Sequence, residues 1–328
     1  MLSGGMTSSG DNERLDSLLV RLGWAPSRRV ARELIAGGRV RVNGRRLRKG
    51  DSVTRGDHVE VTGPADPVSI VAQAEPQLEV LFEDSSLIVV NKPGLLPCHP
   101  LRPGETDTVI NVVAAIYPET TKVGDKPLEG GLVHRLDNGT SGALLIARTQ
   151  ESFATLRAAI RAGSIVRRYD AVLCGRLDMP TEIATPIAHH PKNPRKMVTV
   201  RLNKDAANGH NALSRASIDG ARPAATIVVP QSTYGAFTRA SVLPRTGRRH
   251  QIRVHLASIG LPLAGDGLYG GISLAALAPG RFWLHLSELH FDSPASGRVE
   301  VQAPLAADLD AALALIRKDD PAYAQRTP

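Results

Sequence analysis

The sequence predicts an α+β protein in two parts: a small helical and β domain, followed by a large mixed, mostly antiparallel sheet with flanking helices. Three observations carry this. At 328 residues the chain exceeds the roughly 100–200 residues expected of one domain. Its first sixty residues hold two amphipathic helical stretches and a hairpin signal. From Leu78 onward, short apolar runs of strand type are interrupted by a few helical segments. Hydrophobic residues make up 42% and charged residues 22%, a globular balance, and no apolar run approaches the roughly 18 residues of a membrane span. Membrane and fibrous classes are thereby excluded. The opening residues show no secretory signal, and Cys98 and Cys174, with no CxxC spacing, fit a reducing compartment. A cytoplasmic protein, acting as a monomer, is expected.

Residues 1–11 are read as a flexible terminus and 12–63 as the small domain. Leu15, Leu18, Leu19 and Leu22 fall at i, i+3, i+4, i+7, so Arg14 to Leu22 should be a helix stopped by Gly23. Ser27 suits the N-cap of a second helix with Val30, Ala31, Leu34 and Ile35 on its apolar face, ending at Gly37-Gly38. Val40 and Val42 alternate with Arg39 and Arg41, Asn43-Gly44 is a strong hairpin turn, and Val59 and Val61 supply a later strand. The net charge is +8. Much of the basicity is local, because Arg28, Arg29, Arg32, Arg39, Arg41, Arg45, Arg46, Arg48 and Lys49 face one acid, Glu33. One basic helix is ordinarily a solvated face. Spread over a helix and a hairpin, these groups can instead offer several cations to phosphates, which makes them candidate RNA contacts. Residues 64–76 lack periodicity and contain Pro64, Pro67 and Pro76, so they are read as a linker.

The large domain is expected over 77–328. Val80-Leu81-Phe82 and Leu87 to Val90 flank Asp84-Ser85-Ser86 as a hairpin, and Val109 to Tyr117 is a plausible helix. In GLVHRLDNGTSGALLIART, apolar residues on both sides of a polar turn suggest a strand, loop and strand over 134–142. Glu151 to Ile160 suits a helix, and Tyr169 falls in an alternating strand. Arg253, between Ile252 and Val254, reads as one face of another strand. Residues 202–223 form an expected insertion loop. Taken alone, Asp137 before Asn138-Gly139 is most simply an Asx-turn, Tyr169 a core residue and Arg253 a surface arginine.

The motifs say more. HRLDNGTSG resembles the catalytic signature of the RluA-type family of RNA pseudouridine synthases, and the flanking sequence is similar as well. VRRYDAVLCG resembles that family's KxYxAxVxG segment, with Arg167 at the lysine. GRRHQIRVHLASIGLPLAGDGLYG and NKPGLLPCHP resemble two further family segments, with Arg249 where threonine or serine is frequent. Residues 12–63 resemble the small RNA-binding domain named after ribosomal protein S-four, most specifically at SRRVARELIAGGRVRVNG. The resemblance implies that Asp137 is the essential aspartate, Tyr169 the aromatic ring near the target base and Arg253 the partner of Asp137.

That chemistry suits the residue types. Moving a uracil from its N1 to its C5 attachment is an isomerisation, so no cofactor is expected. The carboxylate must stay ionised in a partly buried pocket, which an arginine partner permits; a bidentate pair would also fix its orientation. His134, Arg135, Leu136, Arg248 and His250 are further candidate substrate or RNA contacts. Lys92 offers a phosphate contact, with an exposed turn lysine the commoner outcome. The ten histidines show no metal-ligand spacing, and no metal site is expected. The expected partner is structured RNA, with ribosomal RNA ahead of transfer RNA. Two other classes compete: a non-catalytic ribosome-assembly factor on the same scaffold, and a hydrolase pairing Asp137 with Asp266.

Overall fold

The structure, a computed structural model, describes residues 6–7, 13–47, 50–62, 69–201, 212–214 and 220–319. It divides into two compact units, Met1–Ser69 and Ile70–Pro328.

In the first unit, helices Leu15–Arg21 (α1) and Arg28–Ala36 (α2) bury Leu15, Leu18 and Leu19 in one cluster with Ala31, Leu34 and Ile35. The Ser27 hydroxyl accepts from the Val30 N–H and caps α2. Val40–Val42 (β1) and Arg45–Arg46 (β2) form the hairpin. Asn43 and Gly44 both take positive φ, 50° and 77°, as a two-residue turn of this twist requires. His58–Val61 (β3) pairs with the other edge of β1.

The second unit begins earlier than the expected linker would allow. Ile70 is buried in its core, the Gln73 N–H donates to the Asn111 carbonyl, and Asn111 Nδ2 donates to the Val71 carbonyl. Residues 64–68 of that expected linker lie outside the described residues, as do 1–5 and 8–12 of the amino terminus.

The main sheet is built from Glu79–Glu83 (β4), Leu87–Lys92 (β5), Ser141–Ala147 (β6), Val166–Cys174 (β7), Thr181–Ile183 (β8), Thr226–Tyr234 (β9), Phe237–Pro244 (β10), Leu284–Ser293 (β11) and Gly297–Gln302 (β12). Among the described residues its order is β8-β9-β10-β7-β11-β6-β5-β4, and β12 also pairs with β11. Every pairing is antiparallel except β11 with β6. Gly142 sits at that parallel crossing with φ 114°, where a Cβ would collide with the Leu286 backbone, so glycine alone lets the strands approach. Leu87 to Val90 and Ala143 to Ala147 are buried throughout, which is why they read as continuous apolar runs.

Among the described residues four α-helices flank the sheet: Val109–Ile116 (α3), Gln150–Ala162 (α4), Gln251–Ser258 (α5) and Ala307–Lys318 (α6). Thr108 and Asn111 close a capping box on α3. Thr149 caps the start of α4, and left-handed Gly163 ends it. Leu309, Leu313 and Ile316 of α6 pack in one cluster with Trp283. Of the expected insertion loop, Ala212–Ser214 pair in parallel with Met197–Arg201, and 202–211 and 215–219 lie outside the described residues.

Two local expectations are corrected. The approach to the HRLDNGTSG loop pairs only through an isolated antiparallel bridge of Leu132 with Ile146, and no strand forms over 134–140. The Leu145 N–H, which a paired backbone carbonyl would otherwise take, donates to the His134 ring Nε2. The segment around Arg253 is helix α5 rather than a strand. All its residues are buried, so no polar face marks its period, and Ile252, Val254 and Leu256 mimic strand alternation. Its polar side chains are instead satisfied internally: Gln251 Nε2 donates to Ala225 O and Thr226 Oγ1, and His255 bonds Thr226 and the Thr185 carbonyl.

Candidate functional site

The loop before β6, the first half of β7 and the start of α5 converge on a cavity of about 460 Å³, lined among others by His134, Asp137, Arg167, Tyr169, His250 and Arg253. Its size falls in the roughly 300–1,000 Å³ range of small-ligand pockets.

Asp137 does not spend its side chain on an Asx-turn. The Thr140 N–H donates to the Asp137 backbone carbonyl at 3.0 Å, closing the turn over Asn138-Gly139 and leaving the carboxylate free. That carboxylate is 25% exposed. Its Oδ2 accepts from Arg253 Nη1 at 3.1 Å, and Oδ1 has no hydrogen-bond partner among the described residues. The expected bidentate partnership of Arg253 exists, but with Asp266. Nε donates to Asp266 Oδ2 at 2.7 Å and Nη2 to Oδ1 at 2.9 Å. Asp266, 1% exposed, occupies the Nε–Nη2 edge of the guanidinium, and Asp137 meets it through Nη1 alone. The cation also lies 4.3 Å from the Phe282 ring centroid and 5.1 Å from that of Tyr269. Burial alone would lower the Arg253 pKa, but the hydrogen bonds and charges of Asp266 and Asp137 outweigh it and raise the value.

Tyr169, on β7, is 6% exposed, and its hydroxyl has no hydrogen-bond partner among the described residues. Burial pushes its pKa up to about 12, so the phenol keeps its proton at neutral pH. Arg167 lies two residues earlier on the same strand face and donates to the Thr246 carbonyl at 3.2 Å. His134 is buried, with burial and then the Arg167 charge pushing its pKa down to about 3. His250, at the start of α5, has Nδ1 3.0 Å from the Tyr269 hydroxyl, and burial lowers its pKa to about 4. The Tyr269 hydroxyl in turn accepts from the Met197 N–H.

The other candidates divide. Arg135 is exposed at the cavity, whereas Leu136 is buried, with its N–H and carbonyl both bonded to Cys98 Sγ. Arg248 donates to the Pro223 carbonyl and Arg249 to that of Pro194. Lys92 is neither a phosphate contact nor an exposed turn lysine. It is fully buried, donates to the Pro93 and Asn138 carbonyls, and has its pKa pushed down by burial to about 8.

Sequence reasoning misses Arg14 and Tyr269, names Arg167 without giving it a role, and gives Asp266 the wrong duty. The signal for Asp266 is present, since Gly265-Asp266-Gly267 sits inside GRRHQIRVHLASIGLPLAGDGLYG. Its partner is hidden because α5 reads as a strand. Among the described residues no group of three or more His, Cys, Asp and Glu could hold a metal ion.

On the first unit, Asp16, 3% exposed, gathers three arginines: Arg14 Nε at 3.0 Å, Arg32 Nε at 2.8 Å and Arg28 Nε at 3.5 Å. The Arg14 hydrogen bond, followed by those of Arg32 and Arg28, holds the Asp16 pKa well below the usual carboxylate range against burial. Arg29 pairs with Glu33. Arg39 donates to the Thr62 carbonyl and Arg41 to that of Gly44. Arg45 and Arg46 are exposed on β2, and Arg48 and Lys49 lie outside the described residues.

The two cavity histidines have folded pKa values below the ordinary 6.5. The unfolded chain therefore binds more protons between about 6.5 and 4, and each histidine makes the fold lose up to about 1.4 kcal/mol per pH unit as pH falls through that window. Denaturant titrations at pH 7 and pH 5 should show this loss, and a His250→Gln variant should show a smaller one. Equal pH dependence in the variant would contradict an uncharged His250.

Comparison with known proteins gives consistent results. The sequence pattern of the RNA pseudouridylate synthase family matches residues 86–258, and that of the S4 domain matches residues 13–59. The Pseudomonas aeruginosa protein named ribosomal large subunit pseudouridine synthase D is 31% identical over 323 residues, covering 95% of this chain and 94% of its own. The protein of the same name from Yersinia pestis is 32% identical over 271 residues, 82% of this chain and 77% of its own. Among solved structures, human RNA pseudouridylate synthase domain containing 1 aligns with TM-score 0.54 and 23% identity, over 75% of this chain and 97% of its own, a likeness of fold.

Proposed function

The chain belongs to the RNA pseudouridylate synthase family, and from that premise we propose that it converts uridines of large-subunit ribosomal RNA to pseudouridine, with Asp137 as the essential carboxylate. The observation that carries the reading is the Asp137 carboxylate itself: it lines a nucleotide-sized cavity with Tyr169, is held on one oxygen by Arg253 and keeps Oδ1 unengaged.

The reaction breaks the bond from ribose C1′ to uracil N1 and forms one from C1′ to C5. The C5 hydrogen is lost as a proton and N1 gains one, with no net redox change. A carboxylate with one oxygen tethered and one unengaged is suited to act on the sugar or the base at the start of this sequence. Arg253 orients it through one hydrogen bond, and Asp266 keeps Arg253 in place. Tyr169 stacks on the uracil, worth roughly 1–3 kcal/mol, and its protonated hydroxyl can pass a proton. The target nucleotide must leave its stack to enter, at a cost of about a few kcal/mol, which phosphate contacts elsewhere on the RNA would offset.

The basic face of the first unit is the proposed source of those contacts. Arg28 and Arg32 are held with Arg14 around Asp16, and Arg45 and Arg46 are exposed on β2. Replacing Arg45 and Arg46 by alanine is expected to weaken RNA binding and lower the slope of log K against log salt by about 0.7–0.9 for each phosphate no longer neutralised. Binding titrations at 50–300 mM salt measure it, and an unchanged slope would remove these residues from the interface.

Ribosomal RNA is favoured over transfer RNA by the names of relatives that match along nearly the whole chain. Purified protein given ribosomal or transfer RNA tritiated at uracil C5 tests this directly. Tritium release from the large-subunit RNA alone is expected, and release from transfer RNA alone would overturn the substrate assignment.

A further inference from the structure

Arg281 is 1% exposed and lies beyond residues 86–258, the span matched by the family pattern. Its guanidinium uses all five N–H groups. Nε and Nη2 donate to the two Asp308 oxygens at 2.6 and 3.2 Å. Nη2 also donates to the Ser141 hydroxyl at 2.8 Å, while Nη1 donates to the Gly139 carbonyl at 2.5 Å and the Phe282 carbonyl at 3.1 Å. Gly139 belongs to the loop that carries Asp137, Ser141 opens β6 directly after it, and Asp308 stands in the first turn of α6. Ser141 is held a second time, by His285 Nδ1 at 2.9 Å. No other carboxylate among the described residues contacts Arg281.

We propose that Arg281 is a positioning residue for the Asp137 loop and that Asp308 of the carboxy-terminal helix is the counter-ion that lets it serve there. A fully buried cation requires a paired anion. The bidentate carboxylate fixes the plane of the guanidinium, and that plane sets where the Gly139 carbonyl and the Ser141 hydroxyl lie. The backbone two residues from Asp137 is thereby registered against α6, an element that contributes nothing to the cavity lining. A shift of about 1 Å in a reacting group can cost on the order of 100-fold in rate, so losing this register should appear in turnover rather than in RNA affinity. The turnover arm of the test rests on the functional reading above; a second arm does not.

In the full-length protein, Asp308→Asn is expected to lower kcat roughly 10–100-fold on large-subunit RNA while KM stays within about twofold. Amide hydrogen exchange of residues 138–142 should accelerate by roughly tenfold or more. Asp308→Glu, which keeps the charge, should recover most of both. Trp283→Phe is the control: it removes the Trp283 Nε1 bond to the Leu309 carbonyl, which anchors the same turn of the helix without touching Arg281 or the Asp137 loop. It should lower Tm yet leave kcat and loop exchange at wild-type values. The proposal is overturned if Asp308→Asn exchanges and turns over as wild type does, or if Trp283→Phe, at equal Tm loss, slows turnover or speeds loop exchange as much. An inactive wild type would refute the functional reading alone, because the exchange comparison still decides this one.

Discussion

Asp137→Asn is expected to lower turnover by roughly 10⁴-fold or more while leaving RNA affinity within about twofold. The substitution keeps the volume and one acceptor for Arg253 Nη1, so the loop and cavity stay in place. What it removes is the charge and nucleophilicity of Oδ1, the oxygen that no described protein group engages. Binding rests instead on phosphate contacts spread over a basic surface and should be almost untouched. Single-turnover tritium release read beside filter binding separates the two quantities. Turnover within about tenfold of wild type would show that the carboxylate is not the essential group.

The second large effect concerns Arg253. Arg253→Met leaves the Asp266 carboxylate, 1% exposed, without its cation. Breaking a buried pair from one side costs about 3–5 kcal/mol, enough to lower Tm by roughly 10 °C in a domain of this size. Turnover should also collapse, because Asp137 loses the group that orients it. Stability loss alone could produce the same outcome, so a double variant is the informative one. Arg253→Met with Asp266→Leu removes both charges, and replacing a buried pair by apolar residues is often neutral. It is expected to regain most of the lost Tm and none of the lost turnover. Recovery of both would mean that Arg253 serves the fold only.

The architecture explains why some of this is legible in the sequence. Helices α1 and α2 each present one apolar face to one partner, so Leu15, Leu18 and Leu19 and the Ser27 cap can be read from spacing alone. The continuous runs in β5 and β6 report strands covered on both faces. HRLDNGTSG locates the cavity because its glycines and Asp137 are local to one turn. Helix α5 resists for the opposite reason, since burial on every side erases the period that identifies a helix. The groups that hold the site in place are long-range and follow no spacing. Asp266 is 13 residues from Arg253, while Arg281 stands 142 from Gly139 and 27 from Asp308. Lys92 looks like a turn lysine because the chain packed over it, around Asn138, is distant in sequence.

The Asp137 cavity is expected to isomerise uridine rather than hydrolyse it or merely bind RNA. Large-subunit ribosomal RNA tritiated at uracil C5 would be incubated with the wild-type protein and digested to nucleosides, and tritium released, pseudouridine formed and free uracil would be counted in one sample. Equal amounts of tritium and pseudouridine, with no free uracil, are predicted. Free uracil in place of pseudouridine would make the protein a hydrolase, and tight binding with neither product would make it a non-catalytic RNA-binding factor.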